Sequence, residues 1–214
     1  MDDLWPRLSG LDAASLADAG LRVLPPEIRL MTAGARLVGR AITVDAGEDL
    51  MPVLGGLRQA GPGDVLVVAT GGSRLAVAGE LFATEALRRG MAGIVIDGYC
   101  RDLATLLRLP LPVFARGATP RAAPARARPV VGVPVRIGGV EVRPGELLLG
   151  DDDGVVVGDE AEFRAAVPVA EAIQVREGRL RSSIEDGTAL FDHLNFDEHA
   201  ERLGRDEESA LRFH

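Results

Sequence analysis

Glu80, Arg101 and Asp102 are the residues whose types and spacing could do chemistry together. They lie in the stretch from Gly79 to Asp102, GELFATEALRRGMAGIVIDGYCRD, with twenty residues between Glu80 and the Arg101-Asp102 pair. A guanidinium can clamp a carboxylate through two parallel hydrogen bonds. Asp102 offers hard oxygens suited to Mg²⁺ or Mn²⁺, and Glu80 can hold waters bound to such an ion. Behind Gly79, the first N–H groups of a helix lack intrahelical acceptors and, with the helix dipole, favour an anion. Singly, Glu80 is an ordinary first-turn acid and Arg101-Asp102 an ordinary ion pair at a helix start. A site exists only if both ends of the stretch meet.

The elements between them predict that they do. DVLVVAT, 64–70, is a continuous apolar run of the kind found in strands covered on both faces. ELFATEALRRG places Leu81, Ala83, Ala86 and Leu87 on one helical stripe, with Gly90 as its stop. GIVID, 93–97, is a second buried strand. Strand, helix and strand make a βαβ unit with a right-handed crossover. The helix travels roughly 15 Å. The five-residue strand returns about 16 Å. Residues 71–82 and 98–102 should therefore line one crevice at the carboxyl ends of the strands, where open α/β sheets bind ligands.

Upstream, 11–19 reads as a short helix ending at Gly20, 21–34 as an extended connection, 35–46 as a strand, and 48–61 as a helix weakened by Pro52 and Gly55-Gly56. Residues 71–79 read as a loop with a turn of helix, in which Gly71-Gly72-Ser73 forms a flexible wall. Downstream, 102–108 is a short helix, PVFA a third strand, and 117–129 a loop rich in Pro, Ala and Arg. From 130 onward VVGVPVRI, VEV, LLLG and GVVVG suggest an antiparallel meander, then a helix over 160–186 that breaks near Pro168 and a charged tail. The expectation is one α/β domain over 1–214, with its core at about 20–190 and a helical tail at about 187–214.

Composition narrows the chemistry. The chain has 214 residues, a net charge of −8, and no lysine, so all 24 basic residues are arginine. A Schiff base on a side-chain amine is impossible, and a Walker A loop lacks its Lys. The acidic balance argues against nucleic-acid binding, and Arg121, Arg126 and Arg128 read as a solvated loop. No apolar run approaches a membrane span. The acidic N-terminus lacks the basic and apolar regions of a signal peptide, which points to a cytoplasmic protein. The three histidines, His193, His199 and His214, all lie in the last 22 residues and read as surface residues. The lone Cys100 reads as an inert thiol, although Arg101 beside it could lower its pKa. Asp151-Asp152-Asp153-Gly154 fits a hairpin turn better than a calcium loop, because Leu149 stands where such a loop needs its first acid.

With Glu80 followed, twenty residues on, by the Arg101-Asp102 pair that ends GIVIDGYCRD, the sequence resembles the RraA-like family, whose pattern is an acid, twenty residues, then Arg-Asp. LPPEIRLMTAGARLVGRAITV, GPGDVLVV, PVFARGATPR and PVRIGGVEVRPGELLLGDDDGVVV support the likeness over roughly residues 20–190. The family includes 4-hydroxy-4-methyl-2-oxoglutarate aldolases and the regulator of ribonuclease activity A. The resemblance implies a swivelling β/β/α domain, with a parallel βαβ core, a β-meander and a C-terminal helix, assembled as trimers or hexamers. It implies that backbone amides of Gly79, Glu80, Leu81 and Phe82 bind a pyruvyl group, that Arg101 binds substrate and that Asp102 ligates the metal. It also implies a C-terminal glutamate from an adjacent subunit, for which Glu177 is the first candidate and Glu171 the second. Glu80 stands where the family more often has Asp. The function so implied is a divalent-metal lyase that cleaves 4-hydroxy-2-oxo acids to pyruvate, with oxaloacetate decarboxylation as a side activity. The alternative is a non-catalytic protein that regulates a ribonuclease or another partner.

Overall fold

The computed structural model describes residues 3–213, which fall into two compact units divided between Ala170 and Glu171. The first unit is built on a mixed sheet. Its strands are β1 (Arg22–Val23), β2 (Arg29–Leu30), β3 (Leu37–Asp45), β4 (Asp64–Ala69), β5 (Ala76–Ala78), β6 (Gly93–Cys100), β7 (Val113–Ala118), β10 (Leu147–Asp151) and β11 (Gly154–Gly158). The order across the sheet is β1-β11-β10-β3-β4-β6-β7-β2, with β5 added alongside β6. The centre is parallel: β3 with β4, β4 with β6, and β6 with β7. Antiparallel pairs flank it. A separate hairpin, β8 (Val135–Ile137) with β9 (Val140–Val142), forms its own two-stranded sheet.

Side-chain alternation sorts the core into two faces. Leu66 and Val68 of β4 and Ile94 and Ile96 of β6 pack on one side, with Val53, Leu57, Ala83 and Ala86 from helices α3 (Met51–Gln59) and α4 (Glu80–Arg88). Val65, Val67 and Val95 face the other side, against Val135, Ile137 and Val142 of the small hairpin. A third cluster joins α1 (Leu4–Leu8) and α2 (Ala13–Asp18) to β10, β11 and Phe163, Ala166 and Val167. The Asp12 carboxylate caps α2 by accepting from the Ser15 N–H at 2.7 Å.

Several expectations change here. Residues 76–78 are not loop or helix but strand β5, parallel to the end of β6. The meander after 130 is divided: β8 and β9 leave the main sheet, and β10 returns to pair with β3. The helix over Glu160–Glu185, which we label α6, continues through Pro168. Phe163, Ala166, Val167 and Ala170 are buried on both sides of the proline, so packing holds together a segment that would break in isolation. The helix starting at Leu4 was not anticipated. Gly56 is no mere weakness in α3: a Cβ there would lie 2.7 Å from Leu66 Cδ1, so the glycine lets helix and sheet approach. The turn at 151–154 is a hairpin, Asp151 pairing with Gly154, as expected.

The second unit contains the end of α6, a 3₁₀ turn at Leu190–His193 and helix α7 (Phe196–Leu203). Phe191 and Phe196 meet edge to face at 5.2 Å. His193 bonds Ser183 Oγ and His199 bonds Ser209 Oγ, as suits surface histidines, while His214 lies outside the described residues.

Candidate active site

The predicted crevice forms at the carboxyl ends of β4 and β6, where β5 lies. The Arg101 N–H donates to the Ala78 carbonyl at 3.0 Å, which ties the end of β6 to the residue before Gly79. At the next residue the chain turns sharply. Asp102 adopts a left-handed conformation (φ 60°, ψ 38°) as it enters the short helix α5 (Leu103–Leu106). A non-glycine residue rarely holds that conformation, though Asp tolerates it better than most. Its effect is to aim the carboxylate back across the crevice at the start of α4.

There Asp102 Oδ2 accepts the Glu80 N–H at 3.2 Å and lies 3.4 Å from Arg101 Nε. Gly79 makes this approach possible. A Cβ at Gly79 would sit 2.9 Å from Arg101 Cγ and closer still to Asp102 Oδ2. Real Cβ atoms do not come so near. The backbone of Gly79 is extended (φ −163°), so the glycine is required for space rather than for its torsion angles. Asp102 Oδ2 thus caps α4 from outside the helix, a bond over 22 residues that local capping rules do not detect.

Three groups remain available to a ligand. The Arg101 guanidinium is only partly buried, and its Nη groups carry no ion pair among the described residues. Asp102 Oδ1 has no hydrogen-bond partner among them. The N–H groups of Leu81 and Phe82 stand in the unbonded first turn of α4. The cleft is lined by Gly79, Leu81, Phe82, Arg101 and Asp102, with Leu50, Ala76–Ala78 and Ala122 as its far wall. Thr119 and Pro120 flank Arg101 and Asp102 on the other side. Gly71, Gly72 and Ser73 do not line it.

Glu80 enters through its backbone; its half-exposed carboxylate has no partner among the described residues. Glu177 is exposed on α6, in the second unit, and Glu171 lies at the start of that unit. Sequence reasoning missed Leu50 and Ala122, since nothing in either residue type signals a cleft. The donor set fits a hard divalent ion held by one carboxylate and mostly by water. No cluster of three or more His, Cys, Asp or Glu occurs among the described residues, so a cage made wholly by protein is not present there. Cys100 is buried, and burial raises its thiol pKa to about 11, in keeping with an inert role.

The family pattern RraA-like, Aldolase/RraA, matches residues 11–157. The chain belongs to the RraA-like family. A Halalkalibacterium halodurans relative, provisionally named 4-hydroxy-4-methyl-2-oxoglutarate aldolase, is 35% identical over 188 residues, spanning 86% of this chain and 90% of its own. Among solved structures, an uncharacterized Pseudomonas syringae protein superposes with a TM-score of 0.79 at 32% identity, covering 88% of this RraA-like chain and 91% of that one. The RNA-processing inhibitor RraA of Thermus thermophilus gives 0.63 at 36% identity, covering 67% and 90%. These likenesses agree with the mixed α/β architecture, a curled sheet with a C-terminal helix. No helix among the described residues is long and apolar enough to cross a membrane.

Proposed function

We propose that this RraA-like protein is a divalent-metal-dependent lyase that cleaves 4-hydroxy-2-oxo acids of the 4-hydroxy-4-methyl-2-oxoglutarate type to pyruvate. The observation that most favours this is the meeting of the Asp102 carboxylate, the Arg101 guanidinium and the first turn of α4 at one cleft. Relatives bearing the aldolase name support the same reading.

In the proposed reaction, Arg101 and the N–H groups of Leu81 and Phe82 bind the C1 carboxylate and orient the 2-oxo group towards Asp102. Asp102 would hold Mg²⁺ or Mn²⁺, with Glu80 ordering waters around it. Such an ion supplies Lewis-acid polarisation of the C2 carbonyl. A carboxylate, either through a water held by Glu80 or as Glu177 of a neighbouring subunit, takes the proton of the C4 hydroxyl. The C4–O bond becomes a carbonyl, the C3–C4 bond breaks, and its electron pair enters the C2–C3 enolate beside the Arg101 cation. A proton returned to C3 completes pyruvate. Oxaloacetate would lose CO₂ through the same enolate. With no lysine in the chain, a side-chain Schiff base is not an alternative route. A homotrimer or hexamer in the cytoplasm completes the proposal, with neither nucleic acid nor membrane as partner.

Asp102→Asn tests the assignment, because it keeps an oxygen acceptor for the Glu80 N–H while removing the charge that would hold a cation. Pyruvate release and Mg²⁺ binding should fall together by at least about 100-fold with folding retained. An active Asp102→Asn protein would remove Asp102 from the role. The likeness to an RNA-processing inhibitor favours a second reading, a regulator that works by binding. Partner capture without pyruvate release from any 4-hydroxy-2-oxo acid would decide for it.

A further inference from the structure

Arg101 and Asp102 follow directly on β6, and β6 does not reach them in even register. Between the pairs Ile96–Ala115 and Tyr99–Gly117, β6 advances from 96 to 99 while β7 advances only from 115 to 117. The extra residue makes a bulge at Asp97-Gly98, opposite Arg116. A bulge bends its strand and re-aims the side chains beyond it. A slip of one residue here would carry Arg101 and Asp102 with it. Three separate elements hold the bulge in place. The Asp97 carboxylate accepts from Arg116 Nε of β7 at 2.5 Å and, through its other oxygen, from the Gly138 N–H at the β8–β9 turn at 2.6 Å. The Asp97 carbonyl accepts from Thr70 Oγ1, just past the end of β4, at 2.5 Å. Gly98 leaves room for this last contact, since a Cβ there would lie 2.7 Å from Thr70 Oγ1.

Asp97 is buried, and a buried carboxylate is costly unless it is paired and hydrogen-bonded. Its neighbours in β6, Ile94, Val95 and Ile96, are apolar core, so the charge is not there for packing. What the ion pair supplies is direction, because charge-assisted bonds are short and specific in geometry. Beyond the bulge, the Arg101 N–H donates to the Ala78 carbonyl at 3.0 Å and the Thr119 N–H to the Cys100 carbonyl at 2.9 Å, so β5 and the end of β7 take up the register that the bulge sets. We infer that Asp97 and Arg116 are positioning residues: by clamping the bulge, they fix where Arg101 and Asp102 stand against the first turn of α4. Neither residue lines the cleft, so both act through Arg101 and Asp102. The consequence for catalysis rests on the lyase reading above; the clamp itself does not.

Asp97→Asn is the probe. An amide has one acceptor oxygen in place of two, so it cannot accept from both Arg116 Nε and the Gly138 N–H, and one bond is lost. A bond to a charged group is worth at least about 10-fold in a local opening equilibrium. Amide hydrogen exchange on the full-length protein should therefore show the protection of Arg101 and Thr119 falling by at least about 10-fold relative to that of β4. Glu146→Gln is the comparison: it cuts the Arg22–Glu146 pair (2.7 Å), away from the bulge, and should leave that ratio unchanged. Mg²⁺ affinity by calorimetry and kcat for pyruvate release should each fall at least about 10-fold in Asp97→Asn and neither in Glu146→Gln. Arg116→Met, which keeps the aliphatic stem and removes the charge, should act in the same direction and stands in if Asp97→Asn does not fold. Protection at Arg101 that falls no more than in β4 overturns the inference, as does selective loss there with kcat and Mg²⁺ affinity intact. If the parent neither binds Mg²⁺ nor releases pyruvate from any 4-hydroxy-2-oxo acid, the lyase reading fails instead, and the exchange ratio alone decides the clamp.

Discussion

Gly79→Ala is the most direct probe of how the site is held. The added Cβ would meet Arg101 Cγ at 2.9 Å and overlap Asp102 Oδ2 more severely. Arg101 has a flexible side chain, but its backbone is pinned by the 3.0 Å bond to Ala78. Asp102 cannot swing far either, since its left-handed backbone leads directly into α5. The carboxylate must therefore move off the Glu80 N–H. Losing a helix cap costs about 1 kcal/mol. Residual overpacking adds about 1 kcal/mol or more. For a chain of this size a loss of about 2 kcal/mol lowers Tm by roughly 4–8 °C. The displacement of Asp102 by about 1 Å should reduce catalysis about 100-fold. Thermal melts read the first quantity, and coupled pyruvate release with Mg²⁺ titration reads the second. A Gly79→Ala protein that melts within about 1 °C of the parent would refute the steric argument. Unchanged turnover with a lowered Tm would show instead that the position of Asp102 does not matter to the reaction.

Two further outcomes follow from the electrostatics. Hydrogen bonds from Arg88 and Arg89 lower the Glu85 pKa from 4.5 to about 2. A carboxyl group depressed on folding stabilises the protein above its unfolded pKa, and that contribution is lost as pH falls through the folded value. Acid unfolding should thus draw on Glu85 between about pH 4.5 and 2, and Glu85→Gln should flatten that limb; a side-chain NMR titration with a midpoint near 4.5 would contradict it. Cys100, raised to about 11 by burial, should resist alkylation at pH 8 in the native protein and react once it is unfolded. Rapid native labelling would show the thiol to be exposed.

Much of the fold was legible because its signals are local. The apolar runs at 64–70 and 93–97, the amphipathic stripe from Leu81 to Leu87 and Gly90 define a βαβ unit, and the structure has strands and a helix at those places. Other errors share a physical cause. Ala76–Ala78 becomes a strand only because β6 runs past its parallel neighbour β4 and offers a free edge at Tyr99 and Cys100. Pro168 fails to break α6 because buried residues on both sides of it have a sheet to pack on. Of the glycines that looked like helix weaknesses, Gly56 is a point of close contact with the sheet, and Gly55 one of close contact with Pro129.

The same division applies to the site. The sequence alone determined the chemistry available: no lysine, so no side-chain imine, and histidines confined to the last 22 residues. It also brought Glu80 and Arg101-Asp102 to one end of the sheet, because helix rise and strand rise nearly cancel over that stretch. Only the tertiary structure decided what each residue does there. Glu80 contributes its N–H to Asp102, Gly79 contributes the absence of a Cβ, and Leu50 and Ala122 close the cleft from distant parts of the chain. These contacts depend on distances across the crevice, set by sheet register and by the turn at Asp102, and residue spacing along the chain carries no measure of them.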